Sequence, residues 1–150
     1  MKGRSVVEIV TSLGYEAIDP FAAGTFAVTR IIYHIRHGQT DWNAAGRLQG
    51  SQDIPLNATG RGQAEGNGRA LAAHFRAVGR DPASLAWVAS PLCRTRETME
   101  RVRTAAGLEP SAYTIVPDLR EVSFGRFEGL TYRDIERDAL HREVARSQGA

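Results

Sequence analysis

Short apolar runs alternate with helical patterns along residues 31–135 of this 150-residue chain. The runs are too short for helices, and the first is rich in β-branched residues, so each indicates a buried strand. The predicted elements are, in order, a strand at 31–36, a helix at 60–78, a strand at 84–89, a helix at 92–106, a strand at 113–116 and a helix that begins at Thr131. This alternation requires crossover connections, which make the strands parallel, so we predict an α/β fold with a mostly parallel sheet.

The first 30 residues carry weaker patterns than the rest. Ser5 and Glu8 form a capping box among apolar residues at helical spacing, which predicts a short helix over residues 5–13. Beyond that helix no clear periodicity reaches residue 30. We therefore divide the chain into an N-terminal extension of unknown role, residues 1–30, and a domain at residues 31–150.

Composition and charge argue against several classes of protein. No run approaches the roughly 18 apolar residues of a membrane span, and a net charge of +2 is too small to argue for nucleic acid. Cys93 is the single cysteine, so an internal disulfide and a CxxC metal site are excluded. The apolar run near the N-terminus is interrupted by Glu8, and no small-residue cleavage site follows, so we expect a cytoplasmic protein.

A polar residue whose side chain could take part in catalysis follows each predicted strand. His37 follows the first strand, Arg94 the second and Glu121 the third. Ligands of parallel sheets bind at the carboxyl ends of the strands, where these side chains would meet. We therefore expect the candidate site at that edge of the sheet.

The segment around His37 suits nucleophilic attack on phosphorus. Neutral imidazole, with an ordinary pKa of about 6.5, offers a lone pair at neutral pH. A neighbouring arginine, Arg36, would neutralise phosphoryl oxygens, and Gly38 lets the backbone approach a ligand closely. Arg94 opens a helix, where amide groups also favour anions. Taken singly, these residues could equally be a structural histidine and a surface arginine.

Three segments taken together resemble the histidine phosphatase superfamily, also called the phosphoglycerate-mutase-like family. They are Arg36–Asn43, Ser90–Thr98 and Leu119–Gly129, with further likeness at Leu48–Asn57 and at Thr59-Gly60. The segments occur in the family's order over about residues 31–135. The resemblance implies a three-layer α/β/α fold of the phosphoglycerate-mutase type.

The resemblance also implies roles for single residues. His37 would be the phosphorylated nucleophile, Arg36 and Arg94 would clamp the phosphate, and Glu121 would be the general acid and then the general base. The residues implied in substrate binding are Arg36, Gly38, Asn43, Gln49, Gly50 and Arg94. No metal or organic cofactor is implied, and the expected partner is a small phosphorylated metabolite.

The stretch after the third strand separates two branches of this family. Mutases usually show E-R-H-Y-G, whereas residues 121–129 here read E-V-S-F-G-R-F-E-G, which resembles the phosphatase pattern E-x-x-F-G-x-aromatic-E-G. Phe124 has no hydroxyl to serve a mutase. We therefore expect phosphomonoester hydrolysis, with a phosphoglycerate-mutase-type phosphotransferase as the alternative.

One expected feature of the family is missing from the sequence. The family places a second histidine, followed by glycine, on a strand in its C-terminal part. The other histidines, His34, His74 and His141, lack that context. We therefore expect a domain that is incomplete at its C-terminus. A catalytically impaired phosphate-binding module that keeps Arg36, Arg94 and Gly38 stays open as an alternative.

Two other hydrolase chemistries fit the sequence poorly. A metal site of His34, His37 and Asp41 would need two histidines that an odd spacing puts on opposite faces of a strand. A cysteine phosphatase needs C-x5-R, but the residue at that spacing after Cys93 is Met99.

Overall fold

The computed structural model describes residues 7–11 and 31–138, which belong to two compact units, Met1–Arg36 and His37–Ala150. In the first unit, strand β1 (Val7–Thr11) pairs antiparallel with strand β2 (Ile31–Ile35). Strand β2 confirms the strand predicted at 31–36. The separate roles predicted for residues 1–30 and 31–150 stay a prediction.

The helix predicted over residues 5–13 is wrong at residues 7–11, which form β1. Four of these five residues, namely Val7, Ile9, Val10 and Thr11, are β-branched and favour strands. Pairing with β2 supplies backbone hydrogen bonds that the local capping signal could not anticipate. The remaining residues of that predicted helix lie outside the described residues.

In the second unit, a parallel pair of strands and the helix between them form a βαβ unit. Strand β3 (Val88–Ala89) pairs with strand β4 (Thr114–Ile115), and helix α3 (Cys93–Ala105) connects them. This pair confirms the predicted parallel strands and α/β class. The strand predicted at 31–36 was expected to be parallel as well, but in the part of the chain that the structure describes, β2 pairs antiparallel with β1.

Two further helices precede this unit along the chain. They are α1 (Asp41–Ala44) and α2 (Ala58–Ala77). The strand predicted from residue 84 starts only at Val88, because Asp81 and Pro82 initiate a 3-10 turn at Pro82–Ser84, where the N–H of Ala83 donates to Asp81 at 2.9 Å.

The last predicted helix begins as expected. Residues 132–138 are helical, and Thr131 and Asp134 exchange the two hydrogen bonds of a capping box at 3.0 and 3.2 Å. The rest of that helix, including His141, lies outside the described residues.

Helices α2 and α3 pack against each other and bury Leu71, Phe75 and Val102. Gly68 lies at their closest approach, since an added Cβ would overlap the carbonyl oxygen of Val102 and lie 2.7 Å from the Cβ of Ala105. This contact explains a glycine within a helix, where it costs about 1 kcal/mol relative to alanine. In the described residues, no helix is long and apolar enough to cross a membrane.

Candidate functional site

The backbone that follows His37 is held tightly between two helices. The N–H of Gly38 donates to the hydroxyl of Thr98 at 3.0 Å, and that hydroxyl donates to the carbonyl oxygen of Arg94 at 2.7 Å. On the other side, a Cβ at Gly38 would overlap the carbonyl of Gly60 in the first turn of α2. The position of His37 is therefore tied to the first turn of α2 and, through Thr98, to the first two turns of α3.

The imidazole of His37 is half-buried, and its Nδ1 lies 2.8 Å from the carbonyl oxygen of Gly38. A carbonyl oxygen only accepts, so a hydrogen bond here requires the proton on Nδ1. In that tautomer the lone pair of the neutral ring lies on Nε2. The local backbone thus favours Nε2 as the nucleophilic atom of this histidine.

Arg94 lies at the start of α3 with 1% of its surface exposed. Its Nη1 donates to the carbonyl oxygen of Gln52 at 2.6 Å, and its Nη2 donates to that of Gly50 at 2.9 Å. Burial lowers the pKa of Arg94, while the charges of Glu121 and Asp53 act against that shift. An arginine stays charged under such conditions. Arg94 therefore brings a buried positive charge to the site while it holds the loop of residues 50–52.

The Nε of Arg94 is buried and has no hydrogen-bond partner among the described residues. A buried donor of a charged group without a partner is costly. This donor without an acceptor adds to the cost of burying the Arg94 charge.

Asp53 caps helix α3 from a distant loop. Leu92 precedes the helix and makes no side-chain cap, and the Cys93 N–H donates to Asp53 Oδ1 at 2.7 Å. Burial would raise the pKa of Asp53, but the hydrogen bonds from Cys93 and the charges of Arg94 and Arg120 lower it overall. The carboxylate therefore stays ionised at neutral pH and complements the positive end of the helix.

The thiol of Cys93 is unsuited to nucleophilic chemistry. Burial, followed by the hydrogen bond to Asp53 and its negative charge, raises the pKa of Cys93 to about 11. Only a thiolate is a good nucleophile, so this side chain is inert at neutral pH.

Two residues predicted to line the pocket, Asn43 and Gln49, are hydrogen-bonded within their own loop. Asn43 completes a capping box with Thr40, and the buried Thr40 hydroxyl donates to Oε1 of Gln49 at 2.7 Å. Gln49 is itself 6% exposed. These contacts fix the shape of the loop that leads into Gly50.

Glu121 is exposed, and its Oε1 accepts from the N–H of Val122 at 3.2 Å. Its negative charge acts on Arg94 strongly enough to oppose the effect of burial on that arginine's pKa. Glu121 and Arg94 therefore lie within electrostatic range of each other, and a shared catalytic role for them stays a prediction.

Glu128 is the most heavily hydrogen-bonded carboxylate of this region. Its donors are Ser51 N, Ser51 Oγ, Gln52 Nε2, Ser123 Oγ and Phe124 N, at 2.6 to 3.1 Å. The bond from the Gln52 side chain, followed by that from the Ser51 N–H, lowers the pKa of Glu128 to about 2. Glu128 is therefore ionised at any ordinary pH.

The second unit brings together most of the predicted site residues. Hydrogen bonds link Gly38 through Thr98 to Arg94, and Arg94 to Gly50, and the charge of Glu121 acts on Arg94, whereas Arg36 is exposed at the end of the first unit. Among the described residues, no group of three or more His, Cys, Asp or Glu side chains could hold a metal ion.

Sequence reasoning gave no role to Thr98, Asp53 or Glu128. A signal existed for Asp53, because Leu92 cannot cap a helix and the cap had to come from elsewhere. Glu128 lies in the quoted phosphatase pattern, but its role as an acceptor for the distant residues 51–52 leaves no local signature. Thr98 follows Arg94 by one helical turn, which could have placed its hydroxyl on the same face.

A family model and curated proteins match this chain over most of its described length. The model of the histidine phosphatase superfamily (branch 1) matches residues 32–149. A probable phosphoglycerate mutase GpmB of Enterobacter is 37% identical over 65% of this chain and 40% of its own length. Sedoheptulose 1,7-bisphosphatase of Saccharomyces cerevisiae is 32% identical over 67% of this chain and 38% of its own length. The chain thus spans about two fifths of these relatives.

Solved structures show the same likeness. A mycobacterial glucosyl-3-phosphoglycerate phosphatase, in complex with VO3, superposes with a TM-score of 0.56 at 31% identity, over 73% of this chain and 49% of that one. Phosphoserine phosphatase from Entamoeba histolytica, in complex with 3-phosphoglyceric acid, gives 0.51 at 28% identity, over 67% of this chain and 44% of that one. The α/β fold predicted from the resemblance is confirmed for the part covered.

Proposed function

Since the chain belongs to the histidine phosphatase superfamily (branch 1), we propose that it hydrolyses phosphomonoesters through a phosphohistidine formed on His37. The seating of His37 carries this proposal. Its neighbour Gly38 is hydrogen-bonded through Thr98 to the turn of α3 that carries Arg94. A nucleophile, a buried positive charge and a carboxylate in range of that charge are the parts this chemistry needs.

The reaction divides into two displacements at phosphorus. Nε2 of His37 attacks the phosphorus atom, the P–O bond to the leaving group breaks, and Glu121 in its protonated form gives its proton to the leaving oxygen. Water then attacks the phosphohistidine, Glu121 takes a proton from it, and the P–N bond breaks to release inorganic phosphate. Glu121 thus acts first as general acid and then as general base.

The two arginines stabilise the charge that the phosphoryl oxygens carry. Both terminal nitrogens of Arg94 hold loop carbonyls, so Arg94 acts through its charge. Such a preorganised charge in a dry site is worth more than one in water. Arg36, which is exposed, supplies the second positive charge.

The phosphoglycerate-mutase-type transfer remains the second candidate, because the relatives include both probable mutases and phosphatases. Phe124 favours hydrolysis. It occupies the position at which the mutase pattern has tyrosine, and its N–H donates to Glu128 at 3.1 Å. A phenyl ring offers no hydroxyl to orient a phosphorylated acceptor.

The substrate we propose is a small phosphorylated metabolite, acted on without a metal or organic cofactor. The similar phosphoserine phosphatase was solved with 3-phosphoglyceric acid, a compound of this class. Cytoplasmic location stays a prediction from the sequence, as does the absence of a nucleic-acid or membrane partner.

The test is hydrolysis of a generic aryl phosphate from pH 5 to 8 by the wild-type chain, by His37→Ala and by the control His74→Ala, which removes a half-buried histidine from α2. We expect turnover by the wild type and the control, with and without a chelator, and none by His37→Ala. Acid-labile phosphate on the wild type after a rapid quench would identify the intermediate.

Two outcomes contradict the proposal. Turnover that the chelator abolishes would indicate a metal hydrolase instead. A wild-type chain that binds vanadate but hydrolyses no faster than His37→Ala would be the catalytically impaired phosphate-binding module.

A further inference from the structure

The carboxylate of Glu128 joins two segments that are far apart in the sequence. From the first, residues 51–52, it accepts the Ser51 N–H at 2.9 Å, the Ser51 hydroxyl at 3.0 Å and the Gln52 amide at 2.6 Å. From the second, it accepts the Ser123 hydroxyl at 3.0 Å and the Phe124 N–H at 3.1 Å. We call this arrangement the Glu128 clamp.

The backbone at Gly50 is shaped around the same carboxylate. Gly50 has φ +54°, and an added Cβ would overlap Oε1 of Glu128 and lie 2.9 Å from the backbone nitrogen of Phe124. Both the positive φ and the close approach require glycine. The two segments therefore meet with no room for a side chain between them, independently of the hydrogen bonds.

Each segment of the Glu128 clamp leads directly to a residue of the proposed site. The carbonyls of Gly50 and Gln52 are those that accept from Arg94, and they belong to the residues on either side of Ser51. On the other segment, Phe124 follows Glu121 by three residues. Glu128 itself contacts neither Arg94 nor Glu121 in any hydrogen bond of the described residues.

We propose that Glu128 is a positioning residue that fixes the segment of Glu121 against the loop held by Arg94. This inference rests on the proposed phosphatase function for its catalytic consequence. The chemistry requires a carboxylate, because five donors converge on one group and four of them share Oε1. A glutamine would keep that oxygen but would set its own N–H groups against those of Gln52.

The first experiment compares Glu128→Ala and Glu128→Gln with the wild type in aryl phosphate hydrolysis. The control is Glu65→Ala, which removes a carboxylate that pairs with Arg101 between α2 and α3. We expect Glu128→Ala to lower kcat about 100-fold with little change in KM, because a misplacement of about 1 Å has that effect on catalysis. Glu128→Gln should keep more of the activity, and Glu65→Ala should keep all of it.

An exchange of partners separates positioning from general stability. Gln52→Glu would set a second carboxylate against Glu128 and should lower kcat. The double variant Gln52→Glu/Glu128→Gln restores one donor and one acceptor, so it should regain part of that loss. A double variant no better than the sum of its single variants would overturn the inference, as would an unchanged kcat in Glu128→Ala.

Amide hydrogen exchange tests the Glu128 clamp without catalysis. In Glu128→Ala the amides of Ser51 and Phe124 should exchange faster, while those in the middle of α2 and α3 should not change. If the wild type hydrolyses nothing, the proposed function fails, and this measurement alone then decides on positioning. Unchanged exchange at both amides would overturn it even in an active enzyme.

Discussion

The carbonyl of Gly60 lies where a side chain at Gly38 would have to be. The reverse also holds, because a Cβ at Gly60 would overlap the carbonyl of Gln39. These two glycines let the loop after His37 lie directly on the first turn of α2. The placement of the proposed nucleophile therefore requires glycine at both positions.

Gly38→Ala should abolish hydrolysis and lower the melting temperature. The added methyl must push the chain off α2, and overpacking of this kind costs about 1–3 kcal/mol. Thermal unfolding and aryl phosphate turnover measure the two effects. Gly62→Ala is the matched control, because a Cβ there meets nothing within 4 Å. A fully active Gly38→Ala would refute the tight seating of His37.

Thr98→Val should destabilise the protein by about 1–3 kcal/mol, because it leaves the buried N–H of Gly38 without an acceptor. Chemical denaturation measures the change in free energy of unfolding. Thr104→Val is the control on the same helix, where the hydroxyl donates to the carbonyl of Glu100 at an exposed site. An equal change in the free energy of unfolding for both substitutions would mean that the hydrogen bond to Gly38 adds no stability of its own.

The ionisation of Glu128 predicts how stability depends on pH. Its pKa is about 2 in the folded chain and about 4.3 when unfolded, so the unfolded chain takes up the proton first. The stability from this group is present above about pH 4.3 and is lost as the pH falls towards 2. Glu128→Gln cannot titrate, so its free energy of unfolding should fall less steeply over that range in urea titrations. Parallel curves for the variant and the wild type would contradict the low pKa.

Cys93 should react slowly with alkylating reagents at pH 8, because its pKa is raised to about 11. Asp53→Asn removes a negative charge beside the thiol and should speed alkylation of the folded protein. Mass spectrometry of the labelled chain gives both rates. The same two chains in denaturant, where the thiols are equivalent, provide the control. Equal rates in the folded state would show that Asp53 does not govern the thiol.

Sequence patterns predicted the elements that local signals define. The helices at α2 and α3, the parallel strands on either side of α3 and the Thr131–Asp134 capping box each follow from residues close together in the chain. That the polar residues after the strands form one catalytic site stays a prediction.

Features that depend on distant partners were not predictable in this way. The choice of β1 as the partner of β2 overrode a local helix signal. The buried state of Arg94, with both Nη atoms on loop carbonyls, depends on how a loop 42 and 44 residues away folds back. Five donors from two segments meet at Glu128 only after the chain has folded.

Helix α3 is capped by a residue from another segment, and this affects when the start of the helix can form. Asp53, which caps the helix, lies 40 residues before Cys93, so the helix start is completed only when the two segments meet. A helix of 13 residues is marginal by itself in water. We therefore expect the first turn of α3 to stay frayed until the segment of Asp53 is in place.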